Sequence, residues 1–580
     1  MKEKLLSAIR NARYGLFLSV FAGWMTFAAV RRLAGTAGTE KNPGALLSGV
    51  LVALLLCIAA FTLHGKNRHF PAAAMLWCSA LILCCTGIYG NRDLYAFLAS
   101  FTLIAVVTVA CFQAFREISC KDLPKACAIL LISLAAVAFA IYLGAVTTAR
   151  YTAYRNSAYD FGIFVQGYYS MLSRGIPYTT LERGYELSHF AVHLSPALWL
   201  GLPLFALFPY PETVQVLQAL VLASSVLPLW LLCRRLRLSR RSSVFFCGLL
   251  LLYPAMVGGA MYDFHENCFL VPLLLWAIYF AERGNALPTL LFSLLACSVK
   301  EDSAVYVAFL GLFLLLSGRR KKIGASVLLF SIGYFLFACW YINTHGLGIM
   351  SWRYNNISDD GSLFGVILTA IRDPFRVFSE CVEQDKLLFL VLMLLPLCGL
   401  PFATKKISRY ILFGGLVLVN LMPDYVYQHS VDFQYVYGTL ALLFYLSVLN
   451  FSELPDGGRR MLGTLACAAT LLSASARMPD QLRQLSAPSD YAADIAVLDE
   501  ALSLVPDGAS VSCSTFLSPH LADREECYLI ELMKQTDYAV VDLRYGEWDS
   551  YPDKYRKIGY TTVYRADGIV EVLQRPVEEE

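Results

Sequence analysis

Residues 192–241, VHLSPALWLGLPLFALFPYPETVQVLQALVLASSVLPLWLLCRRLRLSRR, decide how this chain crosses the membrane. The apolar run at 213–233 is long enough to span a bilayer, whereas 192–208 carries Pro, Gly and His residues that favour a broken helix in the interface. If both runs crossed, the arginine-rich segment 233–241 would lie outside, against the preference of Arg and Lys for cytoplasmic loops. We therefore predict that 192–208 does not cross the bilayer.

The composition indicates a membrane protein. Of the 580 residues, 57% are hydrophobic and only 16% are charged, whereas soluble domains carry about 25% charged residues. We predict an all-α polytopic membrane protein with about fifteen transmembrane helices. The first apolar run is too long for a signal peptide, so we expect it to remain as a helix. The net charge of +3, without a basic patch interleaved with aromatic residues, argues against a nucleic-acid partner.

Basic residues predict the orientation of the helices. Lys2, Lys4, Arg10 and Arg13 place the N-terminus inside. With 192–208 in the interface, the later basic loops at 318–322, 404–406 and 457–460 also fall inside, and only the loop at 31–42 departs from the rule. The predicted helices lie near 14–31, 45–63, 71–89, 94–115, 126–146, 213–233, 242–260, 267–282, 286–299, 303–317, 323–343, 386–403, 407–422, 434–450 and 460–475.

The chain divides into three parts. Residues 1–123 form four additional N-terminal helices, and 124–475 form a membrane core with a long outer loop at 147–212. Residues 476–580 are more polar, with strand-like runs ASVSCS, DYAVVDLR and YTTVYR, and predict a small extracytoplasmic α/β domain. Its Cys513 and Cys527 lie in a compartment that permits disulfides, although each occurs in a strand-like run that could bury a free thiol. Nearly all the other cysteines lie inside apolar runs.

Costly polar residues converge on the outer side in this topology. Ionisable groups at membrane depth are usually functional. Each also has a structural explanation: a loop aspartate can be solvated, DFHE can cap the helix at 267–282, and a lysine beside two carboxylates can be a neutralised pair. The two histidines four residues apart are either metal ligands or hydrogen-bond donors. The polar residues that this topology places on the outer side are Asp160, His189, His193, Asp263, His265, Glu266, Lys300, Glu301 and Asp302, with the weaker candidates Asp424, His429 and Asp432.

Four motifs resemble those of a known group of membrane enzymes. RNSAYDFGIFVQ, YPAMVGGAMYDFHEN, SVKEDSA and ASVSCSTFLSPHLADRE are similar to a bacterial polytopic membrane protein family, a domain of unknown function grouped with the GT-C superfamily of membrane glycosyltransferases. The resemblance covers about 125–580. Because the family is bacterial, it implies a location in the cytoplasmic (inner) membrane of a bacterium. It implies a GT-C-like core with interfacial helices in the first large outer loop, followed by a small C-terminal domain.

The resemblance also implies a reaction. GT-C enzymes transfer sugars from polyprenyl-phosphate donors with help from an acidic residue in the first outer loop, and that role falls on Asp160, with Asp263 and Glu266 as a second acidic site. Lys300 or Arg155 would meet the donor phosphate. The remaining candidates for substrate binding are His189, His193, His265, Glu301 and Asp302. The expected partners are membrane lipid, a lipid-linked sugar donor and a glycan, lipid or protein acceptor.

The sequence leaves a cofactor and two other functions open. A divalent metal is compatible with these residues but not required, because the usual acidic pair is missing beside Asp160. If DFGIFVQGYYSML at 160–172 is helical, Asp160, Phe164 and Gly167 share a face and Gln166 points elsewhere. A transporter or flippase would use Lys300 and its neighbours for ion coupling, but no internal repeat supports it. A non-catalytic cell-envelope assembly protein is the other alternative.

Overall fold

The computed structural model describes residues 2–35, 42–63, 68–91, 93–117, 121–358 and 361–576. Among them, ten helical segments are long and apolar enough to cross a membrane, so the multi-pass character is confirmed and the count of about fifteen stays a prediction. The first four helices are α1 (Lys2–Leu33), α2 (Pro43–Thr62), α3 (Phe70–Gly90) and α4 (Leu94–Glu117). They pack against one another and, through α3 and α4, against the core.

Within the described residues, the core contains sixteen α-helices, several of them short. The bounds are α5 (Lys125–Thr152), α6 (Ile163–Arg174), α7 (Leu202–Leu207), α8 (Pro211–Ser224), α9 (Val226–Arg235), α10 (Arg240–Leu251), α11 (Pro254–Tyr262), α12 (Leu270–Arg283), α13 (Ala286–Cys297), α14 (Ser303–Leu316), α15 (Lys321–His345), α16 (Leu363–Arg372), α17 (Pro374–Cys381), α18 (Gln384–Leu394), α19 (Tyr437–Glu453) and α20 (Asp456–Asp490).

Helix α19 is the centre of the core. Every residue from Tyr437 to Phe451 is buried, which is the expected environment of a helix that is apolar all round. It packs against α12, α14 and the 3₁₀ segments on either side of residue 405. Because α19 is enclosed, the turn Gln434–Val436 at its first end is surrounded by the other elements of the core.

The segment 192–208 contains no continuous helix, as predicted. It consists of a 3₁₀ turn at Pro196–Leu200 and the short helix α7. Prolines near the start of each piece remove backbone donors and limit its length. Before it, the strands β1 (Tyr178–Thr179) and β2 (Leu187–Ser188) pair antiparallel.

Several predicted helices differ from the structure. The predicted helix 213–233 is divided at Ser225 into α8 and α9, and 242–260 is divided before Pro254 into α10 and α11. The predicted helix 386–403 ends at Leu394 and continues as 3₁₀ turns, because Pro396 and Pro401 lack donors and Gly399 has a φ of +74°. The predicted helix 407–422 is a 3₁₀ segment followed by a π-helical turn. The last predicted helix, 460–475, is longer: α20 runs without a break to Asp490 and packs against α5.

The C-terminal part of the chain forms the predicted α/β domain, called here the sheet domain (492–576). The sheet domain consists of α21 (Ala492–Ser503), β3 (Val511–Cys513), β4 (Cys527–Leu529), β5 (Tyr538–Asp542), α22 (Tyr551–Lys557), β6 (Thr561–Ala566) and β7 (Val570–Gln574). Its strands have the order β4-β3-β5-β7-β6, in which β3 is parallel to β4 and β5, and β7 is antiparallel to β5 and β6. The strand-like runs of the sequence contain β3, β5, β6 and, around Cys527, β4, whereas β7 was not predicted.

The two cysteines of the sheet domain are free thiols on neighbouring strands. The Sγ atoms of Cys513 and Cys527 are 3.8 Å apart and both residues are buried. Their separation is that of packed thiols, because a disulfide bond joins sulfur atoms about 2 Å apart.

The topology can be tested with an exposed residue between 192–208 and α8. Tyr210→Cys should react with a membrane-impermeant maleimide in intact cells, since we predict that 209–212 faces outwards and Tyr210 is 63% exposed. Replacing the exposed Cys78 and Cys127 by serine reduces background labelling. Arg241→Cys is the matched control and should be labelled only after permeabilisation. The opposite pattern would reverse the predicted orientation of this part of the core.

Candidate functional site

Asp160 lies in a strained turn directly before α6. The turn Ala158–Gly162 is closed by a hydrogen bond from the Gly162 N–H to the Ser157 carbonyl, 3.1 Å long. Asp160 has φ +64° and ψ −75°, a conformation that is rare outside glycine and concentrates at functional sites. The expectation that Asp160 shares a helical face with Phe164 and Gly167 is therefore wrong, because the helix begins only at Ile163.

The turn at the start of α19 connects Asp160 to two cations. Gln434 Nε2 donates to Asp160 Oδ2 at 3.4 Å. The next residue, Tyr435, places its ring 5.3 Å from Lys300 Nζ and 5.4 Å from the Arg353 guanidinium carbon. Two adjacent residues of one buried turn thus contact the carboxylate and both cations.

Lys300 and Arg353 are buried cations with unused donors. Lys300 is 1% exposed and Arg353 is 8% exposed, and in the described part of the chain neither Lys300 Nζ nor Arg353 Nε has a hydrogen-bond partner. Arg353 also stacks on Tyr425 at 4.2 Å. Buried polar groups are nearly always paired, so unpaired donors on two neighbouring cations indicate a binding site for an anion.

The two cations line a cavity of about 270 Å³, called here the groove. Glu301 and Asp302 also line it, and most of its other walls are apolar side chains of α14, α15, α16 and the segment 416–422. A second cavity of about 270 Å³ has an almost purely apolar lining and shares Val305, Phe335 and Leu418 with the groove. The two cavities are therefore neighbours, and the second adds apolar surface supplied mainly by α14 and α15.

Three histidines around this site each contact a glutamate through Nδ1. The distances are 3.1 Å for His189 to Glu182, 2.8 Å for His193 to Glu301 and 2.8 Å for His265 to Glu266. The ring of Phe164 lies 5.2 Å from both the His189 and His265 rings and holds them on one side of α6. A glutamate at Nδ1 orients the ring and leaves Nε2 for another partner.

Asp263 is buried beside Asp160's loop. Its Oδ1 lies 3.8 Å from Arg150 Nη1 and accepts a hydrogen bond from Asn156, and Gln218 donates to its main-chain carbonyl at 3.2 Å. Burial raises the pKa of Asp263 to about 7, although Arg150 opposes the shift. The contacts with Arg150 and Asn156 link Asp263 to two positions in the chain that leads to Asp160.

Burial and neighbouring charges shift the pKa values of Asp160 and Glu266 in opposite directions. Loss of hydration raises the pKa of Asp160, although the charges of His265 and Lys300 oppose it. Burial alone would raise the pKa of Glu266 as well, but the contact with His265 holds it well below its usual range. These opposite shifts favour the ionised form of Glu266 and make Asp160 easier to protonate than an ordinary aspartate.

The structure brings together most of the residues singled out in the sequence. Arg155 lies apart, because its guanidinium stacks on Tyr491 at 4.6 Å. Asp424 and Asp432 are exposed, and Asp432 pairs with Arg477 at 2.6 Å. Among the described residues, no group of three His, Cys, Asp or Glu is arranged to hold a metal ion. Those assembled around the site are Asp160, His189, His193, Asp263, His265, Glu266, Lys300, Glu301 and Asp302.

Sequence reasoning missed Glu182, Arg353, Gln434 and Tyr435. Arg353 occurs in the polar stretch SWRYNN and resembles a loop residue, and Gln434 and Tyr435 precede an apolar helix without any charge to mark them. The signal that could have found Arg353 is its aromatic flank, because arginines in the interface often stack on aromatic rings.

Comparisons with known proteins agree with this architecture. Residues 150–570 match the sequence model of a family described as "Predicted membrane protein (DUF2079)". Comparison with curated proteins found no match.

Among solved structures, the chain is similar to ArnT from Cupriavidus metallidurans bound to undecaprenyl phosphate, with 13% identity, a TM-score of 0.50, and coverage of 79% of this chain and 99% of that chain. The apo state of that ArnT gives 12% identity, a TM-score of 0.48, and coverage of 77% and 97%. At this identity the likeness to the lipid-bound structure concerns the fold, and the GT-C-like fold predicted from the sequence is confirmed.

The anchoring of Asp263 can be tested by a double substitution. Arg150→Met should lower the free energy of unfolding by about 1–3 kcal/mol, because it leaves a buried carboxylate without its cation. Asp263→Asn in the same protein should recover part of this loss, since a neutral amide needs no counter-charge. Thermal unfolding in detergent measures both effects. Arg483→Met is the control, because Arg483 and its partner Asp480 are both exposed and the pair should contribute little. A double variant no more stable than Arg150→Met would refute the charge pairing.

Proposed function

We propose that this chain, which belongs to the DUF2079 family of predicted membrane proteins, transfers a sugar from a polyprenyl-phosphate donor to an acceptor at the outer face of the cytoplasmic membrane. The observation that carries the proposal is the groove, in which two cations with unused donors line the same cavity as many apolar side chains, next to a second, apolar cavity. An amphiphile with an anionic head and a hydrocarbon tail matches both kinds of lining.

The donor phosphate binds between Lys300 and Arg353. The guanidinium offers directed donors and the ammonium a point charge, and the two together suit a phosphate. The polyprenyl tail follows the apolar walls between α14 and α15, where it replaces lipid or water against apolar side chains. The similar fold of ArnT, whose structure contains undecaprenyl phosphate, supports this choice of lipid.

Asp160 is the general base of the transfer. Its carboxylate takes the proton of the acceptor hydroxyl while that oxygen forms a bond to the anomeric carbon of the donor sugar. The bond from the anomeric carbon to the phosphate oxygen breaks, and its electron pair stays on the polyprenyl phosphate. Lys300 and Arg353 stabilise the negative charge that develops there.

The remaining polar groups bind and orient the two substrates. His189, His193 and His265 have their Nδ1 atoms held by glutamates, so their Nε2 atoms serve sugar or acceptor hydroxyls. Glu301 and Asp302 line the groove beside the phosphate site and contact the sugar. Asp263 and Glu266 form the second acidic site and shape the same pocket, and a glycan, lipid or protein hydroxyl is the acceptor.

The phosphate site is tested by direct binding of undecaprenyl phosphate to the purified full-length protein. Lys300→Met and Arg353→Met should each weaken binding about 10- to 100-fold, the effect of losing a hydrogen bond to a charged group. Arg477→Met is the matched control. Arg477 lines a different cavity, so this variant should bind the lipid normally. If Lys300→Met and Arg353→Met both bind undecaprenyl phosphate with unchanged affinity, the phosphate does not bind between these two cations.

The base is tested by Asp160→Asn. Transfer of labelled sugar from polyprenyl-phosphate donors to membrane acceptors should fall about 10²- to 10⁴-fold, while undecaprenyl phosphate binding stays normal because the cations remain. The wild-type rate should rise with pH through a pKa above the ordinary value of 3.8, because burial raises the pKa of Asp160 and only the deprotonated form accepts a proton. The variant should lose this rise.

Two results would contradict the assignment. Near-normal transfer by a folded Asp160→Asn protein that binds the lipid would exclude Asp160 as the base and favour Asp263. An intact cell-envelope phenotype in that variant, without measurable transfer by the wild type, would favour a non-catalytic assembly protein instead.

A further inference from the structure

We propose that the sheet domain is part of the catalytic site because Thr515 and His520 position Asp160, and this inference rests on the function proposed above. Both residues act through the main chain that precedes Asp160: Thr515 contacts it at Ala158 and His520 contacts it at Tyr151.

Thr515 holds the first residue of the strained turn. Its Oγ1 accepts a hydrogen bond from the Ala158 N–H at 3.0 Å, two residues before Asp160. At the other end of the turn, Ser518 Oγ lies 3.2 Å from the position that a Cβ would take at Gly162. The segment 515–518 therefore packs against both ends of the turn that contains Asp160.

His520 clamps the chain that leads into the turn. Its ring lies between Tyr151 and Tyr154, with centroid distances of 4.0 and 3.8 Å and planes within 8° and 16° of parallel. Its Nε2 lies 3.1 Å from the Tyr151 carbonyl. Tyr154 has φ +54°, and Arg544 of the sheet domain donates to its carbonyl at 3.3 Å. A second strained residue is thus also fixed by the sheet domain.

Further contacts fix the chain after the turn. Gln166 on α6 donates to the Arg524 and Glu525 carbonyls at 3.1 and 3.2 Å. Thr180 Oγ1 exchanges hydrogen bonds of 2.6 and 3.0 Å with the main chain of Cys527. Asp160 is therefore flanked on both sides by segments bonded to the sheet domain.

The strained backbone explains why such support is needed. A non-glycine residue in a sparsely populated conformation costs on the order of 1–3 kcal/mol and persists only where its surroundings hold it. In the described residues, the lining of the groove comes entirely from positions 193–428, so the sheet domain supplies no wall for the donor. Its contacts are directed at the backbone beside Asp160.

The test compares Thr515→Val with Thr515→Ser in the full-length protein. Valine preserves the shape but not the acceptor, so hydrogen–deuterium exchange should rise at 156–165 while β3–β7 stay protected. The kcat for transfer should fall about 10- to 100-fold, the effect of a small misplacement of a catalytic group, with unchanged affinity for undecaprenyl phosphate. Serine keeps the hydroxyl and should restore both properties.

Thr536→Val is the matched control. Thr536 is a buried hydroxyl of the sheet domain that donates to the Tyr538 carbonyl, and its loss should leave exchange at 156–165 and the kcat unchanged. His520→Ala tests the second contact and should raise exchange at 150–156, again with the sheet protected.

The outcomes separate this inference from the proposed function. Unchanged exchange at 156–165 in Thr515→Val, or equal loss of protection throughout β3–β7, would overturn the positioning role. Increased exchange confined to 156–165 would support positioning, even if Asp160→Asn transferred sugar normally. Normal transfer by Asp160→Asn would overturn the proposed role of Asp160 as the base, but not the role of Thr515 in fixing the turn.

Discussion

The ammonium of Lys300 is the group on which the arrangement of the site depends. A cation that is 1% exposed loses most of its hydration, and such a group persists only with compensating charges and dipoles around it. Among the carboxylates nearby, Glu301 contacts His193 and Glu266 contacts His265, and Asp302 lines the same groove. The ring of Tyr435 lies 5.3 Å from Lys300 Nζ, which has no hydrogen-bond partner among the described residues. This unused donor is the one that we propose for the donor phosphate.

The buried helix α19 links Lys300 to Asp160. Because α19 is enclosed along its length, the turn before it has little freedom, and Gln434 and Tyr435 hold the carboxylate and the cations in fixed relation. The helices that pack around this turn are interrupted near 395–421 by 3₁₀ and π turns. Non-helical backbone is tolerated at membrane depth where it is buried in protein or lines a cavity, and part of this segment lines the groove.

The strained turn at Asp160 depends on residues far along the chain. Thr515 and Ala158 are separated by 357 positions, so their contact forms only after the core has assembled and the sheet domain has docked. Such contacts carry a large loop-closure cost and depend on the stability of both parts. The turn is thus assembled by the tertiary structure and is not an intrinsic preference of its own residues.

The sequence alone determined the membrane class, the broken character of 192–208, the C-terminal α/β domain and most of the polar residues of the site. These follow from local transfer free energies, since a charge such as Lys300 within an apolar run is costly wherever the chain folds. Only the tertiary structure decided that Arg353, Gln434 and Tyr435 join Lys300 and that Asp160 stands outside the helix. Pairing across hundreds of residues and a backbone held against its own preference leave no periodic or compositional trace, because both are set by the elements that pack around them.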